Sequence, residues 1–519
     1  MKKHIILVLT ILCVFMTKAQ IATNETPLGI AKKSTFANIS AAVIPSPNMV
    51  LIHKADSIND SEERPIRYAC DMQVNYNLNN SGNWTILADG SRVWRLKVKL
   101  TDALSTNAFY DKFWLPEGSK FFVYSETTGQ TLGAITSEYI RGSRTTPSKF
   151  ATALIYGEEV TFEYFEPSYI QESAIISISR IDYGYRLIDN PYKAVSNFGQ
   201  SQDCNRNINC PEGQGWQEEK HAIVRISSVR SYGSVWCSGA LINNTNNDKT
   251  PYVLTARHCV SPEQDAMGDT DLSQWMFYWE YEYPSCDNTG VEPILHSTLG
   301  ATLLTNTVND ASSDFALLLL IQDPINVMGI QPYYLGWDRT GNAGTGGIGI
   351  HHPSGDVKKI SQYTMSPISQ DDYWKINWIT GIAESGSSGS PLINNQHHLI
   401  GQCRGGSGYC TNYQANYEVY GKFSVSWSGN GDSNSYKYRN LQPWLDTSNT
   451  GILILDGIGC GVNLKNQTVT TNTTVTSLCD INVQNVNIQN NANLILDAAG
   501  TTTITSDFNM APGTTLEIK

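Results

Sequence analysis

The stretch Glu384-Ser385-Gly386-Ser387-Ser388-Gly389-Ser390-Pro391 constrains this chain more than any other. It reads G-x-S-G-[GS]-P, a serine inside a turn that only glycine permits without a Cβ clash. Such a turn aims the N–H groups of Gly386 and Ser388 at one point, where negative charge on an oxygen would be stabilised. Pro391 stiffens the exit into the apolar pair Leu392-Ile393, and Asn394-Asn395 then turn the chain. Ser388 is the candidate nucleophile, with Gly386 and Ser388 as the candidate oxyanion hole. Taken alone, a Gly/Ser-rich run reads equally well as a flexible loop.

Two further motifs favour the chemical reading. A serine hydroxyl needs a neighbouring base to take its proton. His258 stands in Leu254-Thr255-Ala256-Arg257-His258-Cys259, after the strand-like run Tyr252-Val253-Leu254. Asp314 opens Ser313-Asp314-Phe315-Ala316-Leu317-Leu318-Leu319-Leu320, at the mouth of a strongly apolar strand. An aspartate there is costly to bury without a partner, and the imidazole N–H of His258 would be one. Asp314 also reads as an ordinary strand-start residue capping a turn.

With these residues in the order His258, Asp314, Ser388, the chain resembles the chymotrypsin-like proteases. It is most similar to their secreted bacterial branch, the lysyl endopeptidases. The likeness rests on Cys204…Cys210-Pro211-Glu212-Gly213, Thr255 to Cys259, Gly336-Trp337-Asp338-Arg339 and Ile350-His351-His352-Pro353. It continues through Gly386 to Pro391, Gly401-Gln402, and Tyr420-Gly421 followed by Ser426-Trp427. It covers residues 204–457 and implies a double β-barrel with the catalytic residues in the cleft between barrels.

The resemblance also implies the disulfides Cys204–Cys410, Cys210–Cys286 and Cys237–Cys259. Cys460 and Cys479 form a plausible fourth pair, and Cys70 and Cys403 are left over. For the substrate pocket, trypsin-like chains carry an aspartate where this chain has Ile382. The lysyl endopeptidases place an acid shortly before the Tyr-Gly, which here is Glu418, a glutamate where the family has aspartate. Glu384 is a second acid in reach, and Ser426, Trp427 and Ser428 are expected to form an extended wall that pairs with substrate. Glu418 reads alternatively as an exposed strand charge. Arg404 replaces a family histidine near the pocket, and Trp374 is a candidate for the family's pocket tryptophan.

Composition fits an exported all-β protein. The 519 residues carry net charge −12, which disfavours nucleic-acid phosphate and favours cationic substrates. Segment 1–19 reads as a signal peptide: Lys2-Lys3, then an apolar centre from Ile5 to Met16, then Thr17-Lys18-Ala19. That centre is too short to span a membrane, and eleven cysteines suit an oxidising compartment. The expected localisation is therefore extracellular or at the cell surface.

Residues 20–66 lack periodicity and read as a loosely ordered lead-in. From residue 68 to 190 the pattern is strand-like; in Trp94 to Leu100, Trp94, Leu96, Val98 and Leu100 alternate with Arg95, Lys97 and Lys99. This predicts a β-sandwich inside a pro-region of residues 20–193, or alternatively an independent binding module. Lys193 is the only basic residue between Ile188 and Asp203, and marks the expected processing site ahead of a protease domain at 194–457. That domain carries many short strands, with Ser435 to Thr447 as its best helix candidate.

Beyond residue 458, apolar pairs recur two apart in an Asn/Thr-rich background: Ile481/Val483, Val486/Ile488, Leu494/Leu496, Phe508/Met510 and Leu516/Ile518. This predicts a short β-solenoid-like tail for 458–519, serving surface attachment, sorting or carbohydrate contact, or simply capping the fold. The functional expectation is a serine endopeptidase acting on proteins or peptides after lysine, monomeric once processed. The competing expectations are the same enzyme with an arginine or mixed preference, and an idle adhesin or binding module on the same fold. No cofactor and no metal are expected; His351 and His352 read as hydrogen-bonded strand residues.

Overall fold

Burial, one-sided in the tail strand Ile481–Ile488 and complete along the barrel hairpin Ile223–Arg230 and Gly233–Leu241, sets the layers of this molecule. The computed structural model describes residues 25–34, 36–61, 65–186 and 201–519, apart from 261–271, 288–292, 294, 308–311, 328–329, 407–408, 412–416, 430–438, 478, 499 and 506. The segment read as a signal peptide and the processing site at Lys193 lie outside the described residues. No helix among the described residues is long and apolar enough to cross a membrane.

The upstream region is a two-layer sandwich. The strand Arg92–Leu100 pairs with Glu159–Glu166 and buries Trp94, Leu96, Val98 and Leu100. The facing sheet contains Arg67–Asn77, Ile175–Gly184 and Ser105–Trp114. Phe113, Phe121 and Phe150 interlock between the layers. The lead-in is more ordered than its sequence predicts. It holds the strand Ala42–Ile44, parallel to Arg92–Leu100, and the helix Met49–Ser61. Met49 and Ile52 of that helix pack against the core, and a polar contact fastens its middle: buried Asp56 pairs with Arg67 at 2.7 Å and accepts from the Tyr185 hydroxyl at 2.6 Å. Val50 and Leu51 stay exposed, which is why periodicity misses it.

Two β-barrels follow. The first uses Ile223–Arg230, Gly233–Leu241, Tyr252–Ala256, Met276–Trp279, His296–Leu299, Ala301–Asn306 and Phe315–Leu320. The second uses Gly347–His351, Lys359–Tyr363, Tyr373–Ile376, Pro391–Asn394, Leu399–Gly406 and Glu418–Lys422. Of the helix expected near 435–447, the described residues hold one four-residue turn, Gln442–Leu445. Among the described residues four disulfides are formed, Cys204–Cys410, Cys210–Cys286, Cys237–Cys259 and Cys460–Cys479, and Cys70 and Cys403 are free and buried.

The tail winds as parallel rungs. Val462 pairs with Ile481 and Ile481 with Thr502 on one face; Thr473 pairs with Leu494 and Leu494 with Leu516 on the other. Ile481, Val483, Val486, Ile488, Leu494 and Leu496 fill its core. Asn466 and Asn485 stack by a 2.7 Å side-chain hydrogen bond, each at a left-handed φ that asparagine tolerates well.

Candidate active site

Cross-strand register brings His258 and Asp314 together. The strand Tyr252–Ala256 runs antiparallel to Phe315–Leu320, with Ala256 opposite Phe315. The next residues on one strand, Arg257 and His258, therefore meet the residue just before the other, Asp314. The Asp314 carbonyl accepts from Arg257 N at 2.9 Å. Its carboxylate accepts from His258 N at 3.1 Å and lies 2.7 Å from His258 Nδ1. Asp314 is 1% exposed and sits at φ +54°, a left-handed conformation held by these contacts. A carboxylate at Nδ1 stabilises the tautomer with its proton there and leaves Nε2 as the basic atom. Nε2 is buried and has no hydrogen-bond partner among the described residues.

Ser388 comes from the second barrel, on a turn stitched into its neighbours. Ser387 N donates to Glu384 O at 2.8 Å and Ser390 N to Ser387 O at 3.0 Å, while Gly386 and Gly389 take φ of +97° and +84°. Gly389 N donates to Cys403 O, and Cys403 N to Ser390 O, both at 2.8 Å. On the other side the turn presses on the first barrel. Ser238 N donates to Ser388 O at 2.8 Å and Ser238 Oγ to Gly386 O at 2.8 Å. A Cβ on Gly389 would stand 2.3 Å from Thr255 Oγ1 and 2.5 Å from Ser238 O, so only glycine fits against the strand leading to His258. The Ser388 carbonyl is 3.8 Å from the sulfur of Cys259, next in sequence to His258. Among the described residues, neither the Gly386 N–H nor the Ser388 N–H is engaged in a hydrogen bond.

His351 is the hydrogen-bonded strand residue the sequence predicts, and it has a role the sequence did not show, as support beneath this turn. Buried His351 bridges Ser387 Oγ at 2.8 Å and Ser361 Oγ at 2.9 Å. Burial, reinforced by the nearby Lys359 charge, pulls its pKa down to about 3, so the ring is neutral. His352 is likewise buried and depressed, with Nδ1 on Asp356 O at 2.8 Å. No group of side chains that could hold a metal ion occurs among the described residues.

The pocket differs from the sequence expectation in two places. Glu384 is not available to a substrate. Its carboxylate accepts from Gln202 N at 2.8 Å, Asn205 Nδ2 at 2.5 Å and Ser354 Oγ at 3.1 Å, and burial raises its pKa. It fastens the segment after residue 200 to the nucleophile turn. The second difference concerns Ser426, Trp427 and Ser428, which lie in the helix Phe423–Ser428 and offer no extended edge. Trp427 packs on Trp337 at 4.6 Å and on Phe423 at 6.0 Å; Ser426 Oγ donates to Ser313 Oγ at 2.9 Å. Buried aromatic packing, not strand alternation, decides that segment.

The extended strand beside the turn is instead Leu399–Gly406. It pairs with Glu418–Lys422, Gly406 opposite Glu418. Glu418 is 1% exposed, and a Cβ on Gly406 would stand 2.1 Å from its Oε2. Burial, with the Glu418 charge as the next cause, raises the pKa of the Cys403 thiol on the strand Leu399–Gly406. The glycine pair Gly405-Gly406 inside a strand was the available signal, because strand glycines mark close approach. The Arg404 guanidinium lies over the Tyr373 ring at 5.2 Å and donates to its hydroxyl at 3.0 Å. Trp374 is buried, with Nε1 on Ile400 O at 3.2 Å and Lys422 Nζ 4.7 Å from its ring.

Two packed barrels with His258 and Asp314 on one and Ser388 on the other define a chymotrypsin-like protein. Residues 198–421 match the family model described as lysyl endopeptidase, C-terminal domain. Over that segment the chain is similar to the lysyl endopeptidases. The lysyl endopeptidase of Pseudomonas aeruginosa is 30% identical over 275 residues, covering 50% of this chain and 57% of that protein. This chain thus spans little more than half of that relative. Among solved structures, a serine endoprotease from Yersinia pestis matches at 14% identity and TM-score 0.28, over 40% of this chain and 61% of that one. A Glu endopeptidase matches at 20% identity and TM-score 0.27, over 39% of this chain and 85% of that one.

Proposed function

We propose that this chain is a secreted serine endopeptidase that cuts after lysine through an acyl-enzyme. The observation that carries the reading is the 2.7 Å contact from Asp314 to His258 Nδ1, with Ser388 seated across the barrel junction from it. Ser388 Oγ attacks the peptide carbonyl and His258 Nε2 takes its proton. The same nitrogen then returns the proton to the leaving amine, and water repeats the sequence to release the acid. Asp314 holds the imidazole and stabilises its charged form. The N–H groups of Gly386 and Ser388 receive the oxyanion. The four disulfides support an oxidising working environment.

Lysine preference is supported by a buried acid, Glu418, under the glycine strand next to the nucleophile turn. Cleavage between Lys193 and Ala194 would release the N-terminus of the protease segment, and N-terminal sequencing of the exported protein reads that bond. Ser388→Ala tests the reading as a whole: peptide hydrolysis should fall by about 10⁴-fold or more. Near-native hydrolysis in that variant would remove Ser388 from the role. A peptide-library digest read by mass spectrometry tests the preference, and cleavage after residues other than lysine would overturn it.

A further inference from the structure

The strand Arg67–Asn77 belongs to the upstream sandwich, yet its first residues pair with the barrel strand Gly233–Leu241. Ala69 lies opposite Ser234 and Arg67 opposite Val235, so one twelve-stranded sheet runs from the sandwich into the first barrel. The joint is close and buried. Trp236 N donates to Ile66 O at 3.0 Å, and the Tyr68 ring stacks on Trp236 at 3.9 Å. Gly233 has no room for a side chain, because a Cβ there would stand 1.9 Å from Ala69 O.

Polar contacts close around this seam. Buried Asp182 accepts from Ser234 Oγ at 2.6 Å and from Arg180, whose Nη1 donates to Arg230 O at 2.6 Å. The Tyr68 hydroxyl is 2.6 Å from Ser227 Oγ. Farther along, Gln274 donates to Phe150 O at 2.7 Å, and Leu154 N donates to the Tyr278 hydroxyl at 3.2 Å. None of these contacts involves Ser388, Glu418 or the strand Leu399–Gly406. A domain that merely covers a cleft would sit on those residues. This one supplies the first barrel with part of its core.

We propose that the upstream sandwich is a permanent partner of the first barrel, and stays docked through this strand pairing after the linker 187–200 is cut. Removing it would expose the apolar faces of Trp236 and Tyr278 to water, a cost that solvent does not repay, whereas the hydrogen bonds of Ser234 and Arg230 would pass to water. Covalent connection is then dispensable, whereas contact is not.

The test uses the full chain with Ser388→Ala, so it holds whether or not the protein is a protease. A foreign protease site replaces residues 191–198, and complete cutting is read on a denaturing gel. Gel filtration without denaturant should return both fragments in one peak at the mass of the uncut chain, separating only in urea. Separate native peaks would overturn the proposal. Adding Tyr68→Ala should leave the uncut chain folded by circular dichroism but let the cut fragments part. Fragments that stay together in that variant, at the dilution where it was expected to split them, would show that docking does not run through this strand.

Discussion

Gly406 leaves no room above Glu418, and two expectations meet in that pair. Glu418→Gln should cost about 2–5 kcal/mol in transition-state binding of a lysyl substrate, the range for losing one side of a desolvated charge pair. A neutral residue at the same substrate position should lose far less, which steady-state kcat/KM on the two substrates compares. Gly406→Ala should lower lysyl hydrolysis too, since its Cβ would collide with the carboxylate. His351 gives a pH prediction. Its pKa is about 3 in the fold against an ordinary 6.5, so the unfolded chain binds the extra proton between those values. Stability is then full above pH 6.5 and falls as pH drops toward 3, by roughly 4 kcal/mol at the lower limit. Urea melts across that window, compared with His351→Asn, should show the variant with the shallower slope. At this scale the meeting of His258 with Asp314 was legible, because each stands in a short local pattern. Glu384 was misread because its partners Gln202 and Ser354 lie far from it in sequence.

Elements carried less of their outcome in sequence. The apolar pairs of the tail pointed to stacked rungs: Ile481, Val483, Val486, Ile488, Leu494 and Leu496 are buried, whereas Met510 and Ile518 of the last pairs are exposed. Ser426-Trp427-Ser428 did not announce a helix, because Trp337, on which Trp427 packs, lies ninety residues away in sequence and is supplied by the tertiary fold, while Phe423 is a neighbour one turn back in the same helix. The hairpin Ile223–Arg230 to Gly233–Leu241 has a part no motif shows. The Arg230 guanidinium donates to the carbonyls of His258 at 3.2 Å, Val260 at 3.2 Å, and also Cys259. Arg230→Ala should loosen the histidine loop, lowering kcat while KM changes little; a fall confined to KM would contradict this. The tail, by contrast, touches the barrels at Tyr333, Tyr334 and Pro332, on the strand pair with Ile458–Gly459 and at Cys460. Deleting residues 461–519 together with Cys460→Ser should leave kcat/KM unchanged.

For the whole molecule, the sequence announced an upstream β unit and a double barrel but not that one sheet joins them. Strand pairing between Ala69 and Ser234 leaves no trace in either local pattern, since each strand looks complete by itself. The bridge Cys204–Cys410 has a consequence of its own. It joins residues 206 apart in sequence, so most of both barrels lies inside a single covalent ring. Ring closure of that size removes enough unfolded-state freedom to stabilise the fold by about 5 kcal/mol. The same ring holds the Gln202–Asn205 segment against Glu384, at the root of the nucleophile turn. Oxidation chemistry outside the chain thereby becomes a condition for the turn to hold its shape: a copy of this polypeptide made among reducing thiols would carry every residue of the site and lack the hoop that keeps them in place.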